Sequence, residues 1–305
     1  MKKVILVTAL VLAVIAGGLT LYVRGAMQEF EVTTLTPDLH VFTNPFGGNV
    51  GVLKTGAGAV VVDTLTFGLQ GEAIRELAEE VTGEKVVMVI NSHYHTDHTH
   101  GNPAFDPATR VVATGRTLHH LQQLDAEYFS DEASQLLPKE VFENEQQLHI
   151  GNKTLRLLHP GRGHTDGDLV VLFVEDRVLH TGDLFFNRHY PNIDLEAGGS
   201  VAAWGDTLDE LFELPFETVI PGHGPVSDAT GMRQFQVFIR ELAALGSYAA
   251  SIDGSLADTL VNGRLTSDAG YDPISFGPMF SLDREFVIRR SWEEATGNFE
   301  LYEGF

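Results

Sequence analysis

The chain contains no cysteine. A disulfide framework and any Cys-ligated zinc finger are therefore excluded, and a bound metal has only His and carboxylate donors to hold it. Positive charge is also scarce: 20 Lys and Arg stand against 42 Asp and Glu, a formal net charge of −22. Lys2, Lys3 and Arg24 fall in the first 26 residues with no acidic neighbour, so the remainder carries −25. A body this acidic repels phosphate backbones, and no basic run compensates, which argues against a nucleic-acid partner; the partner expected is a small-molecule substrate. The acidity itself needs no more explanation than solubility. No fixed-period repeat or low-complexity linker divides the chain, and 305 residues with 43% hydrophobic content can bury a substantial core.

Only one long hydrophobic run is present, Val4 to Val23, preceded by Lys2-Lys3. This is the layout of an export signal, and its length also suits a single membrane span of roughly 20 residues. Arg24-Gly25-Ala26 is a poor small-x-small cleavage site, and Ala16-Gly17-Gly18 offers an earlier one. Residues 1–26 are accordingly expected to be a signal peptide or an uncleaved membrane anchor. The protein is then periplasmic or secreted, or held at the inner membrane, touching the bilayer through residues 4–23 alone. The oligomeric state is not legible.

Past this segment, short apolar runs come first: Leu39 to Thr43, Asn49 to Lys54 and Ala59 to Asp63, with turn chemistry at Phe46-Gly47-Gly48-Asn49 and Gly56-Ala57-Gly58. Ile74, Leu77, Ala78 and Val81 then fall at helical spacing, and the run Val86 to Ile90 reads as a buried strand. A helix is expected over Thr117 to Leu137, and strands over Leu155 to Leu158, Leu169 to Val174, Val178 to His180 and Thr218 to Ile220. Trp204, Leu208, Leu211 and Phe212 form one helical face, and Phe235, Phe238, Ile239, Leu242 and Leu245 another. Each half thus has strands followed by helices, which gives one domain over 30–245. Residues 246–305 are rich in Gly, Asp and Ser but carry Tyr271, Phe276, Phe280, Phe286 and Trp292, too apolar for a linker. They are expected to pack on the domain as helices and loops.

Directly after the Val86 to Ile90 run stand His93, Tyr94, His95, Thr96, Asp97 and His98, an HxHxDH cluster. Three imidazoles and a carboxylate on the turn after a buried strand can converge on one small volume, as a pair of metal ions requires. Three more candidates follow in turns: His164 in Gly163-His164-Thr165, Asp183 in His180-Thr181-Gly182-Asp183, and His223 in Pro221-Gly222-His223-Gly224-Pro225. Glycine beside a ligand lets backbone approach closely and aim one side chain inward. A lone His at any of these places is more often structural, but the ordered set points to a metal site.

On these residues the chain, over roughly 35–230, resembles the metallo-β-lactamase superfamily, with Asp63 as a further motif at a strand end. The resemblance implies a single-domain α/β (α+β) fold, a four-layer αββα sandwich with metals at one edge between its sheets. It also implies a division of ligands: His93, His95 and His164 on one metal, Asp97, His98 and His223 on the other, and Asp183 bridging. Asp63 would orient the ligand loop or, equally, cap a strand end. Two divalent ions about 3.5–4 Å apart lower the pKa of a bridging water toward roughly 7 and polarise the bond under attack. Asp97, as catalytic residue, can accept a hydrogen bond from that nucleophile. Two Zn2+ per chain are expected, with Fe or Mn also compatible with an all-N/O donor set.

The expected activity is that of an exported metal-dependent hydrolase opening an amide, lactone or ester bond, with β-lactams or lactones as the first substrate class. β-Lactamases with a Cys ligand carry it near the position of Asp183 and lack the final His of the cluster, so this chain is more similar to the branch of glyoxalase II, lactonases and alkyl-ester hydrolases. Export fits a β-lactamase and counts against a glyoxalase II acting on cytosolic thioesters. An iron oxygenase of the persulfide dioxygenase kind is a second alternative, although that family leaves most second-site ligands idle. Around the site, Phe46-Gly47-Gly48 reads as a flap or an ordinary turn, and Phe185 to Tyr190 as the mouth, with Arg188 able to hold a carboxylate. His40, His119, His120 and His149 have no ligand-like context. His100, His159 and His180 lie near the motifs, where they can support a ligand.

Overall fold

The computed structural model describes residues 25–44, 47–275 and 281–302. The Val4 to Val23 run and Phe46 lie outside the described residues. Among those described, no helix is long and apolar enough to cross a membrane.

Among the described residues, fourteen strands alternate with helices. The first sheet has seven in chain order: β1 (Glu31–Thr34), β2 (Leu39–Thr43), β3 (Asn49–Leu53), β4 (Ala59–Val62), β5 (Val86–Ile90), β6 (Arg110–Thr114) and β7 (Glu140–Phe142). β1 to β4 pair antiparallel, whereas β4 to β7 pair parallel. The helix α1 (Gly68–Thr82) makes the crossover from β4 to β5 that parallel pairing requires. It ends at Gly83, whose positive φ of 69° closes the last turn with an N–H to the Glu79 carbonyl.

The second sheet runs β12 (Thr218–Ile220), β11 (Val178–His180), β10 (Val170–Phe173), β9 (Lys153–Leu158), β8 (Glu145–Ile150). Only β11 and β12 pair parallel, joined by a crossover through α4 (Val201–Phe212). Then come α5 (Ala229–Ser251), α6 (Leu256–Asn262), the small pair β13 (Ile274–Ser275) and β14 (Ser281–Leu282), and α7 (Arg284–Thr296).

Three apolar layers alternate with these elements and account for the stacking. Val60, Val62, Met88 and Ile90 of the first sheet meet Leu155, Leu157, Val171 and Phe173 of the second. The other face of the first sheet, including Val61 and Val89, packs on Ile74 and Ala78 of α1. The other face of the second, including Val170 and Leu172, packs on Trp204 and Leu208 of α4, Phe235 and Phe238 of α5, and Val287 and Ile288 of α7. The result is the αββα sandwich. A central strand covered on both faces has no polar side, which is why β5 reads as an unbroken run rather than an alternation. Each such side chain contributes about 1.5–3 kcal/mol by burial.

One helix is shorter than its sequence suggests. Between α1 and α4, α2 is the single turn Thr96–Thr99 and α3 spans Gly115–Leu124; a 3-10 segment, Asp131–Leu136, replaces the expected continuation of α3. Beyond Leu124 the apolar stripe lapses, and Phe129 and Leu136 are buried individually from a polar, acidic segment.

Candidate metal centre

Each sheet places one parallel strand pair at the same edge of the sandwich, and parallel strands deliver their carboxyl ends side by side. From the first sheet, β4 leads into Asp63 and β5 into His93; from the second, β11 leads into Asp183 and β12 into His223. His164 comes from the loop between β9 and β10. The one-turn α2 carries Asp97 and His98, with His95 at its N-cap.

The seven candidates gather into two groups whose donor atoms lie within 4.8 Å of one another: His93, His95, His164 and Asp183, and then Asp97, His98 and His223. Asp183 lies between them. Its Oδ2 is 3.9 Å from His93 Nε2 and 3.7 Å from His164 Nε2, while its Oδ1 is 3.3 Å from His98 Nε2 and 3.5 Å from His223 Nε2. Asp97 Oδ2 is 3.3 Å from His223 Nε2 and 3.6 Å from His98 Nε2. Donors held about 2.0–2.2 Å from a tetrahedral ion stand roughly 3.3–3.6 Å apart. The spacing is that of ligands around a cation rather than of hydrogen-bonded partners.

Buried atoms without partners agree. His93 Nε2, His98 Nε2, His164 Nε2 and Asp183 Oδ1 are buried and accept or donate no hydrogen bond. Each such atom costs on the order of 1–3 kcal/mol when left so. Four of them facing one volume fit a pair of metal ions, and the donors, all N and O, fit a divalent one.

The opposite nitrogens show how the rings are aimed. Asp63 Oδ2 takes His98 Nδ1 at 2.8 Å and the Ser92 hydroxyl at 2.7 Å, and its Oδ1 takes the Ser92 N–H at 2.8 Å. Ser92 Oγ, having donated to Asp63, accepts from His93 Nδ1 at 3.0 Å. One carboxylate thus orients a ring in each group, and Asp63 holds this role in a left-handed backbone, φ 67°. His95 is turned the other way: its Nε2 meets Asp194 Oδ2 at 2.9 Å, leaving Nδ1 as its donor to the site. Asp194 Oδ2 also accepts from the Tyr94 hydroxyl, and its Oδ1 from the Ala197 N–H at 3.0 Å.

Charges follow from this crowding. Burial, reinforced by His98, holds the His93 pKa well below the ordinary histidine value. Burial disfavours ionising Asp183, but His98, His223 and His93 outweigh it and keep the carboxylate well below its usual range. His98 is pushed well up and His223 up to about 9, because Asp183 and Asp97 overcome desolvation. The site is a carboxylate pair in want of positive charge.

The mouth differs from its expected form. Phe185 and Phe186 are buried: Phe185 packs on Phe235, and Phe186 stacks on the His223 ring at 5.0 Å and 12°. Tyr190 is buried too, donating to Asp268 at 2.9 Å. The Arg188 guanidinium stands beside Gly270. A cavity of about 520 Å³ opens beside His223, lined also by His189, Gly47, Asn44, Glu31 and Ile274. The C-terminal extension therefore borders the site, which the sequence did not indicate. A similar depression near Arg75 and Arg110 touches none of the candidate ligands.

His180 is fully buried behind the centre, bonded to the Asn49 carbonyl and the Gly182 N–H, and His159 bonds the Asp168 carbonyl. His100 pairs with Asp125 and stacks on Tyr128. His120, read as without ligand context, is buried against Asp166. Sequence reasoning missed Asp194, which no strand or motif flags, and Asn49, whose amide donates to the Pro221 and Gly224 carbonyls and pins the His223 turn. At Gly222 in that turn a Cβ would stand 2.0 Å from Asp183 Oδ1, so only glycine admits the bridge.

Comparison with known proteins adds to this geometry. The sequence model described as the metallo-beta-lactamase superfamily matches residues 43–223. A metallo-beta-lactamase type 2 of Elizabethkingia meningoseptica is 26% identical over 245 residues, 76% of this chain and 94% of its own. A hydroxyacylglutathione hydrolase of Rhodospirillum rubrum is 27% identical over 168 residues, 54% of this chain and 56% of its own. Among solved structures, a metallo-beta-lactamase from Pontibacter korlensis superposes with a TM-score of 0.61 at 21% identity, covering 70% of this chain and 99% of its own.

Proposed function

This chain belongs to the metallo-beta-lactamase superfamily, and from that premise we propose that it is an exported hydrolase using two divalent metal ions to open an amide, lactone or ester bond. The observation that carries the reading is the division of the Asp183 oxygens between two imidazole groups. His93, His95 and His164 would hold one ion, Asp97, His98 and His223 the other, and Asp183 both. Ions so held supply an activated water and polarise the carbonyl under attack. Zinc is the first choice, with iron and manganese suited to the same donors.

The residues supply the rest. Asp97 keeps 23% of its side chain exposed and its carboxylate ionised, because His98 and His223 overcome its desolvation. It is thus available to accept a hydrogen bond from the attacking water and orient it. The stacked Phe186 holds the His223 ring, and Asn49 holds its turn. Among the described residues, the cavity beside His223 has Glu31 and two histidines as its ionisable groups and no Lys or Arg. With no Lys or Arg in this wall to dock a substrate carboxylate, a neutral lactone or ester is favoured. The β-lactam reading is supported by the names of the relatives, and a thioester by that of the hydroxyacylglutathione hydrolase.

Metal analysis of the purified protein, with a panel of a β-lactam, an acyl-homoserine lactone, a thioester and a phosphodiester, tests the proposal. Two ions per chain and chelator-sensitive hydrolysis are expected, with the lactone cleaved best. One tightly held iron, with oxygen consumed in the presence of a persulfide, would replace the hydrolase by an oxygenase. Export rests on Lys2-Lys3 and the Val4 to Val23 run. A reporter active only outside the cytoplasm, fused after residue 30, should give signal, and a cytoplasmic signal rejects export.

A further inference from the structure

The C-terminal helix α7 presents two polar residues to one loop of the domain. Arg290, only 9% exposed, donates from Nε to the Ile193 carbonyl at 2.8 Å and from Nη1 to Glu196 at 2.9 Å and Glu293 at 2.8 Å; its Nη2 meets the second Glu196 oxygen. Glu294, one turn on, accepts from the Ser200 hydroxyl at 2.5 Å and the Ala202 N–H at 3.1 Å. Past the helix, the Tyr302 N–H bonds the Glu196 carbonyl at 3.0 Å. Residues 193–200 are therefore clamped at both ends by a segment remote in sequence.

That loop reaches two of the three imidazoles in the first group. Asp194 holds His95 Nε2, and the Asp194 N–H donates to the His164 carbonyl at 3.1 Å. The Ser200 N–H donates to the Gly163 carbonyl at 2.8 Å, and the Asp166 N–H to the Ala197 carbonyl at 3.0 Å, so the loop is stitched along the turn carrying His164. The second group has other supports: Asp63 on His98, and Asn49 on the His223 turn.

We propose that α7 is a remote brace for the first metal position, with Arg290 and Glu294 as positioning residues that fix the 193–200 loop so that Asp194 aims His95 and the loop backbone seats His164. The proposal rests on the reading of His93, His95 and His164 as one metal position. Partners that orient a ligating imidazole typically change metal affinity 10–100-fold when removed. An Arg fork binding a carboxylate and a carbonyl together is a rigid fixture that an ammonium reproduces only in part.

The test titrates metal-free full-length protein with Co2+ against a competing chelator, following the visible absorption of the bound ion. It uses two backgrounds: His98→Ala, which leaves the first position, and His93→Ala, which leaves the second. Arg290→Met should weaken Co2+ binding about 10-fold or more in the first background and less than about 3-fold in the second. Arg290→Lys should recover part of the loss. Glu294→Gln, a milder change, should shift affinity in the same direction without altering the near-UV circular dichroism, and it decides the matter if Arg290→Met does not fold. Equal weakening in both backgrounds, or unchanged affinity in the first, overturns the brace while leaving the two-metal reading intact. Failure of the otherwise unaltered protein to bind Co2+ overturns both.

Discussion

Around Asp183 Oδ2, the His93 and His164 side chains are almost wholly buried, and the group is closed by β5 and the 193–200 loop. Around Oδ1, His223 and Asp97 keep 11% and 23% of their side chains exposed, beside a cavity of about 520 Å³. The same few residue types thus make two different positions. The first is the more enclosed, with only His95 keeping 17% of its side chain exposed, and the second, although His98 is fully buried, lies beside the cavity where a substrate would arrive. The electrostatics cross this division: His93 is kept from protonation by burial and by His98, whereas His164, like His98 and His223, is drawn toward it because neighbouring carboxylates overcome desolvation. A buried, pre-aimed position is the one expected to hold its ion more tightly, since less ordering remains to be done on binding.

The largest expected effect comes from the residue the two positions share. Asp183→Ala should lower turnover at least about 10³-fold, a loss of several kcal/mol of transition-state stabilisation. The variant should lose the second ion with little change in folding; one that kept both ions and a near-normal rate would remove Asp183 from the centre. Next is His98→Ala, expected to leave a one-metal protein with turnover reduced about 10²-fold, a Lewis acid and an orienting charge being gone. Elemental analysis checks the stoichiometry, and two ions bound with unchanged affinity would mean that the ring does not face a metal.

Asp63 and Ser92 sharpen the comparison further. Asp63 orients His98 directly and His93 only through the Ser92 hydroxyl, so Asp63→Asn should weaken both ions, by about 10–100-fold at the position of His98. Ser92→Ala should weaken chiefly the first. Calorimetric titration of the two variants separates these patterns, and identical profiles would contradict the relay. The smallest effect is expected from Asn49→Ala. It leaves the Pro221 and Gly224 carbonyls without their donor, costing about 1–3 kcal/mol and a few degrees in Tm. KM should rise more than kcat falls if the loosened His223 turn lines the substrate cavity.

The parts of the fold that could be read from the chain were those where pattern and burial coincide. The run Val86 to Ile90 is covered on both faces and so is apolar throughout, and the faces at Trp204 and Phe235 repeat with the helical period because one side meets a sheet. The edge strands β1, β7 and β8 gave no such signal, since β1 is largely solvent-facing, β7 half-buried and β8 polar through Gln146 and Gln147, whereas the edge strand β12, buried at Val219 and Ile220, did. Of Phe185 to Tyr190, placed at the mouth by their nearness to Asp183, Phe185, Phe186 and Tyr190 are turned into the core and His189 lines the cavity. Position along the chain does not say which way a side chain points once the backbone leaves a regular element.

By itself the sequence determined the donor chemistry. With no cysteine, the site could be built only from imidazole and carboxylate, and the HxHxDH spacing required His93, His95, Asp97 and His98 to share one short turn. What only the tertiary structure decided is which atom of each ring faces inward. His98 is aimed by Asp63, 35 residues away, and His95 by Asp194, 99 residues away and itself seated beneath the C-terminal helix. A neutral imidazole offers one lone pair, and the partner that takes its other N–H selects it. That partner is brought near by the packing of two sheets and a helix, and no local pattern encodes its arrival.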